Sequence, residues 1–243
     1  EGTSDLQEAL LDSGLLHRVW PQLTTAQAMP RLVGGTLPRT GRCLVMPSWD
    51  FQRAVAAVIL GVTHEDGFAL AGSGAIREHG LTDRPTQDVD LFTMNTTDAR
   101  FADAVNRAMT ALGMHGYDAS LVRSAALFAR LLVTRDDERL EVDLGVDWRG
   151  HDPVMFDIGP VLAIDDAVAN KVGAVYSRAA ARDFLDVDSI RRSERFSDPE
   201  LLRLAAEHDP GFEDGTFADQ RGLVSISAQT RSPSTASPPS RSK

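Results

Sequence analysis

Apolar residues recur at helical spacing near the start of the chain. Residues 4–20 carry Leu6, Leu10, Leu11, Leu15, Leu16 and Val19 and read as an amphipathic helix stopped by Pro21. Residues 21–47 are rich in Pro and Gly and read as an irregular connection. A second helix starts near Ser48 and carries Phe51, Val55, Ala56, Val58, Ile59 and Leu60. The pattern then shortens: Phe68–Ala71 is a short buried strand and Val89–Phe92 another. Thr97 caps a helix over about 98–112 that Gly113 ends. Leu127–Val133 and Leu140–Val146 are two strands around the polar turn at Arg135–Glu138. Helices follow at about 165–178, 181–192 and 198–207.

Strands therefore cluster first and helices follow. That order predicts an α+β fold, a small mixed or antiparallel sheet flanked by helices, with a helical C-terminal subdomain. The implied division is an N-terminal helical extension at 1–60, a sheet-bearing core at 61–150, a helical subdomain at 151–221 and a tail at 222–243. The tail is Ser/Thr/Pro-rich and cannot bury enough apolar surface to offset its ordering entropy, so it is expected to be disordered. No internal repeat is evident.

Composition narrows the class. At 243 residues, 42% hydrophobic and 25% charged, the chain suits one good-sized soluble domain or two small ones. No apolar run approaches the roughly 18 residues a membrane span needs. No basic, apolar signal segment follows Glu1, so a cytosolic protein is expected. The lone Cys43 excludes an intrachain disulfide framework and a cysteine-rich zinc site. A net charge of −10 argues against a general nucleic-acid binder, yet leaves room for a nucleic-acid substrate held by a local arginine patch. Lys171 and Lys243 are the only lysines, so the folded region before the tail contains one.

Candidate chemistry begins on the strand at 88–92. Alternation sends Val89 and Leu91 into a core and leaves Asp88 and Asp90 together on the opposite face. On 140–146, Leu140, Val142, Leu144 and Val146 share one face and leave Glu141 and Asp143 on the other. If the two strands are neighbours, three or four carboxylates converge, and a hard divalent cation relieves their repulsion. A bare Asp-x-Asp pair is more often an ordinary solvated one. What precedes it changes the balance. Gly72-Ser73-Gly74 makes a tight turn sixteen residues before Asp88, between a strand and a helix starting near Ala75. The third glycine and ribose-binding acid of a dinucleotide fold are missing, and no Gly-Lys-Ser/Thr follows, so neither of those phosphate loops fits. Backbone N–H groups and the Ser73 hydroxyl remain available to a phosphate.

On the helix at 165–178, Ala167, Lys171, Ala174 and Arg178 share one stripe, beside an apolar stripe of Val168, Val172, Val175 and Ala179. The lysine stem is expected to be partly buried, which lets its ammonium pair with a triphosphate. Arg182 and Asp186 continue this surface. The plainer alternative is a surface lysine paired with Asp183 or Asp186.

Taken together, Gly72-Ser73, Arg84-Pro-Thr86-Gln-Asp88-Val-Asp90, Ala169-Asn-Lys171 through Arg178, and Arg182-Asp183-Phe-Leu-Asp186 resemble the nucleotidyltransferase superfamily related to DNA polymerase β. Within it they resemble the AbiEii/AbiGii-type nucleotidyltransferase toxins, including the MenT toxins. The resemblance covers roughly residues 66–192, with Gly-Ser-Gly where many members have Gly-Gly-Thr or Gly-Gly-Ser.

The resemblance implies that the sheet at 61–150 is a nucleotidyltransferase core. It implies an NTP that loses pyrophosphate while its nucleotidyl group moves to an acceptor hydroxyl, with Asp88, Asp90 and Asp143 holding Mg²⁺. Asp88, Asp90, Asp143, Lys171 and Asp186 are the implied catalytic set, with Asp186 preferred to Asp183 for orienting Lys171 or the nucleotide. Gly72, Ser73, Lys171, Arg178 and Arg182 are the implied nucleotide contacts. It further implies the 3′ end of tRNA as acceptor, CTP as the favoured nucleotide, a cognate antitoxin as partner and Thr86 as a regulatory phosphosite. Other readings keep the chemistry with a small-molecule or protein hydroxyl as acceptor, or reduce the chain to a non-catalytic nucleotide-binding module. Arg77, Arg84, Arg123, Arg130, Arg178, Arg182, Arg191 and Arg192 are candidates to line one cleft. His79, His115 and His151 lack paired ligand spacing, and Trp20, Trp49 and Trp148 read as core or interface residues.

Overall fold

The computed structural model of the chain describes residues 47–94, 96–178 and 180–212. The helix expected at 4–20, nearly all of the connection at 21–47 and the tail at 222–243 lie outside them. Helix α1 (Trp49–Thr63) begins at Ser48, whose hydroxyl accepts the Phe51 N–H at 3.2 Å. It buries Phe51, Val55, Ala56, Ile59 and Leu60, and a 3₁₀ turn (His64–Asp66) leads out of it. Strand β1 (Ala69–Leu70), helix α2 (Gly72–Glu78), strand β2 (Asp88–Thr93) and helix α3 (Asp98–Met114) follow. Then come β3 (Asp118–Ala125), β4 (Phe128–Arg135), β5 (Glu138–Val146), β6 (Val154–Phe156) and β7 (Gly159–Val161). Helices α4 (Ile164–Arg178), α5 (Ala181–Arg192) and α6 (Asp198–His208) complete the described residues.

The strands form one mixed sheet in the order β3-β4-β5-β2-β1-β7-β6. The pairing that matters most is β2 with β5, parallel, with Asp88 opposite Glu141 and Asp90 opposite Asp143. The expected alternation holds on both strands: Val89, Leu91, Leu140, Val142 and Leu144 are buried. Val146 departs from it and is 37% exposed, at the end of β5. Leu91, Val142 and Leu144 are fully enclosed, and truncating either leucine to Ala would cost about 2–5 kcal/mol.

Helices α1 and α3 pack together, with α1 also against β1, β2 and β7. Leu60 of α1 lies so close to Gly159 of β7 that a Cβ there would sit 3.1 Å from it. Helix α4 packs against α2, α5 and α6, through Val168, Val172, Val175, Ile190, Leu201 and Leu204 among the buried residues.

Three features differ from the sequence pattern. Helix α3 continues through Gly113 and closes at Gly116, which takes the left-handed conformation (φ +77°). Tyr117 N–H then reaches the Leu112 carbonyl at 3.0 Å and Gly116 N–H the Gly113 carbonyl at 3.1 Å, a Schellman closure. Helix α2 begins at Gly72 itself, so the glycines lie in the helix rather than ahead of it. Strands β3, β6 and β7 were not anticipated. β3 is an edge strand with nearly every position exposed, so it has no apolar alternation to read, and the other two are three residues long.

Candidate active site

Asp88 and Asp90 leave β2 on the face opposite its buried valine and leucine. Asp90 lies directly against the start of α2. A Cβ on Gly72 would stand 1.9 Å from its Oδ2, and Gly72 has φ +58°. Only glycine satisfies both demands, the left-handed backbone and the closely approaching carboxylate. Burial, reinforced by the Asp88 carboxylate, pushes Asp90 up to about 6 against the opposing pull of Lys171. Asp88 accepts the Thr86 hydroxyl at 2.6 Å and has the Arg182 guanidinium 4.0 Å away. Thr86 is buried, and its carbonyl accepts the Gln52 amide of α1 at 2.9 Å, which fixes the loop ahead of β2.

Beside this pair lies a closed polar network. Asp186 of α5 is fully enclosed. It accepts Arg84 Nε at 2.7 Å, Arg84 Nη2 at 3.0 Å, the Ser73 hydroxyl at 2.9 Å and Lys171 Nζ at 2.9 Å. Lys171 Nζ and Arg84 Nη2 also donate to Ser73 Oγ, at 2.9 and 3.0 Å. Burial opposes charge on Asp186, but the Arg84 hydrogen bond and the Lys171 and Arg84 charges outweigh it and hold its pKa below the usual carboxylate range. The burial expected for the Lys171 stem extends to its head: the side chain is 7% exposed and the ammonium meets Asp186 and Ser73. One turn earlier, Asp183 takes Arg178 as a two-bond fork at 2.7 and 2.8 Å. Each aspartate of the Arg182-Asp183-Phe-Leu-Asp186 segment therefore holds a different cation.

Asp143 sits in register with Asp90 on β5, but both its oxygens are engaged. Arg130 of β4, its cross-strand partner, donates Nε to Oδ1 at 2.6 Å and Nη2 to Oδ2 at 2.7 Å, with Nη1 on Glu141 at 2.9 Å. Among the described residues, no three His, Cys, Asp or Glu side chains come close enough together to hold a metal ion. Asp88 and Asp90, which no guanidinium among the described residues grips as Arg130 grips Asp143, offer oxygen donors alone, and the Asp88 charge disfavours that of buried Asp90. That chemistry suits a hard divalent cation.

The sequence-predicted residues Gly72, Ser73, Asp88, Asp90, Lys171 and Asp186 thus meet, with Arg182 at the rim. Arg178 faces Asp183, and its charge reaches Asp90 through space. Two arginines that the sequence assigned no specific site role turn out to be central: Arg84, which opens the motif ending in Asp88 and Asp90, and Arg130, signalled only by strand register. The other cleft candidates are engaged elsewhere. Arg77 lies over Trp49, Arg123 over Phe128, Arg191 on Asp198 and Arg192 on Asp188. The three histidines are dispersed: His79 contacts the Leu162 carbonyl, His115 the Ala111 carbonyl and His151 the Asp166 carboxylate. Trp148 is half exposed, edge-on to His208.

The mixed sheet thus carries paired aspartates beside the glycine start of α2 and a lysine–aspartate pair on consecutive helices. The family of AbiEii nucleotidyl transferase toxins, of type IV toxin–antitoxin systems, matches residues 53–233. The chain belongs to that family.

Among solved structures, JHP933 from Helicobacter pylori superposes with a TM-score of 0.50 at 14% identity, covering 76% of this chain and 94% of that one. A nucleotidyltransferase-family structure from H. pylori gives 0.49 at 14% identity, covering 74% and 94%. MenT4, a nucleotidyltransferase toxin from Mycobacterium tuberculosis H37Rv, gives 0.44 at 16% identity, covering 63% and 61%. No curated protein shows significant sequence similarity to the chain.

Proposed function

We propose that this nucleotidyltransferase toxin moves nucleotides, cytidylate first among them, from an NTP to the 3′ end of tRNA and so blocks translation. The observation that carries the reading is the juxtaposition of the Asp88–Asp90 pair, set against Gly72, with the enclosed Lys171–Asp186–Ser73–Arg84 network. In this reaction an acceptor hydroxyl oxygen attacks the α-phosphorus, its bond to the bridging oxygen breaks, and pyrophosphate leaves. The chemistry is mostly positioning and charge stabilisation.

Asp88 and Asp90 are the residues that would hold Mg²⁺. When bound, that ion supplies positive charge against the triphosphate. Lys171, whose charge reaches Asp90, has one ammonium N–H beyond its bonds to Ser73 and Asp186 to offer a triphosphate oxygen. The Ser73 hydroxyl joins it on release from Asp186. Asp186 and Arg84 keep that ammonium in one place. Arg182, half exposed beside Asp88, and Arg178 add positive charge at the rim. These two rim guanidinium groups are the local positive charge that supports a phosphate-rich acceptor. The work belongs in the cytoplasm, where NTPs and tRNA occur, and the family's toxin–antitoxin character supports a cognate antitoxin as partner.

Thr86 is the proposed point of control. A phosphate on it would place about two negative charges where its hydroxyl now donates to Asp88. Its burial requires the loop to open before modification. A fully active phospho-Thr86 protein would refute this part.

The experiment is incubation of purified protein with total tRNA, Mg²⁺ and each α-labelled NTP. Native tRNA is compared with tRNA whose 3′-terminal diol has been oxidised by periodate. Label on native tRNA alone supports the reading. Label on oxidised tRNA, or on co-incubated metabolites or protein instead, contradicts it.

A further inference from the structure

Three neighbouring strands carry one row of side chains across the face of the sheet: Asp90 on β2, Asp143 opposite it on β5 and Arg130 opposite that on β4. A parallel row carries Asp88 and, opposite it, Glu141. Strands are spaced about 4.8 Å apart, so all five groups share one patch. The four carboxylates are not equivalent. Both on β5 are gripped by one guanidinium, which gives Asp143 two short bonds at 2.6 and 2.7 Å and Glu141 one at 2.9 Å. The Asp143 pair is a fork-to-fork arrangement that arginine makes and lysine does not. Hydrogen bonding to Asp143 holds the Arg130 proton more firmly than usual, against the opposing effect of burial. The two carboxylates on β2 have no such partner in register.

We infer that Arg130 takes the place of a second metal ion: it neutralises Asp143 and Glu141, so that this centre holds a single divalent cation on Asp88 and Asp90, and Asp143 is not a ligand. The inference rests on the assignment of Asp88 and Asp90 as cation ligands. It differs from the sequence expectation of three metal-binding aspartates, and it gives Arg130 a positioning role: it fixes the charge of the β5 row. A cation approaching Asp143 would meet the Arg130 guanidinium already bound to both carboxylate oxygens, and the two positive charges would repel. Asp90, resting against Gly72, faces no such guanidinium fork among the described residues.

The test counts Mn²⁺ ions bound to the full chain, read as loss of the free-ion electron paramagnetic resonance signal, without nucleotide and without turnover. Wild type should bind one Mn²⁺. Asp143→Asn should still bind one with nearly unchanged affinity, and Asp88→Asn should bind none. Arg130→Gln should bind a second ion through the released carboxylates, and the double variant Arg130→Gln with Asp143→Asn should return to one. Circular dichroism and melting establish that each variant is folded. If Arg130→Gln does not fold, Asp143→Asn carries the test alone.

Two ions on wild type, or an affinity loss of about tenfold or more in Asp143→Asn, overturns the inference while leaving the Asp88–Asp90 site standing. No ion on wild type overturns the cation assignment itself, and the inference with it.

Discussion

Replacing Gly72 by alanine should damage the site in two measurable amounts. The backbone there has φ +58°, a conformation that costs a residue with a Cβ about 1–2 kcal/mol. The new methyl group would also stand 1.9 Å from Asp90 Oδ2. Ordinary contact begins near 3 Å, so the carboxylate must retreat by about 1 Å, a displacement that can cost about 10²-fold in rate at a reacting centre. Urea unfolding in EDTA should show the 1–2 kcal/mol loss. Steady-state transfer of an α-labelled nucleotide should show kcat/KM down by about two orders of magnitude, with the loss mainly in kcat. The protein stays mostly folded, so unfolding does not account for the rate. Activity of Gly72→Ala within about threefold of wild type would refute the argument that this close approach positions Asp90.

Three further outcomes follow from the same geometry. Asp186→Asn leaves Lys171 and Arg84 without their enclosed counter-charge and should cost about 3–5 kcal/mol in denaturant unfolding. Because the folded-state pKa of Asp186 is lowered, its contribution is present above the usual carboxylate range and is lost as pH falls through the lower folded value; the variant's acid unfolding should therefore be shallower in that window. Asp90→Asn removes a charge that burial and Asp88 disfavour, so in EDTA at pH 7 its Tm should rise by about 2 °C or more while transfer activity is lost. Arg182→Ala, at a half-exposed position 4.0 Å from Asp88, should change stability by no more than about 1 kcal/mol but raise KM for the NTP.

The parts of the site that could be read in advance are those where a local pattern carries the information. Period-two alternation at 88–92 put Asp88 and Asp90 on one face whatever the strand's neighbours. The single lysine among the described residues and the Arg182–Asp186 segment placed Lys171 and Asp186 on consecutive helices. Arg130 was hidden because its meaning depends on which strands pair and in what register, which β4 alone does not encode. Strand β3 gave no signal because an exposed edge buries neither face, and β6 and β7 are too short to show a period. Gly113 and Gly116 both suit a helix end, and the choice falls to Gly116, which takes positive φ and allows Tyr117 to close the turn. The pairing of Lys171 with both Ser73 and Asp186 joins three separate motifs and could be seen only once the chain was folded.

The central claim is that the Asp88–Asp90 and Lys171–Asp186 centre transfers a nucleotidyl group. The most direct measurement supplies Mg²⁺, total tRNA and one NTP labelled either at the α- or at the γ-phosphate, to wild type, Asp88→Asn and Lys171→Ala. Wild type should move the α label onto the RNA and leave the γ label in pyrophosphate, and both variants should move neither. Transfer of the γ label, or undiminished transfer of the α label by Asp88→Asn, would contradict it.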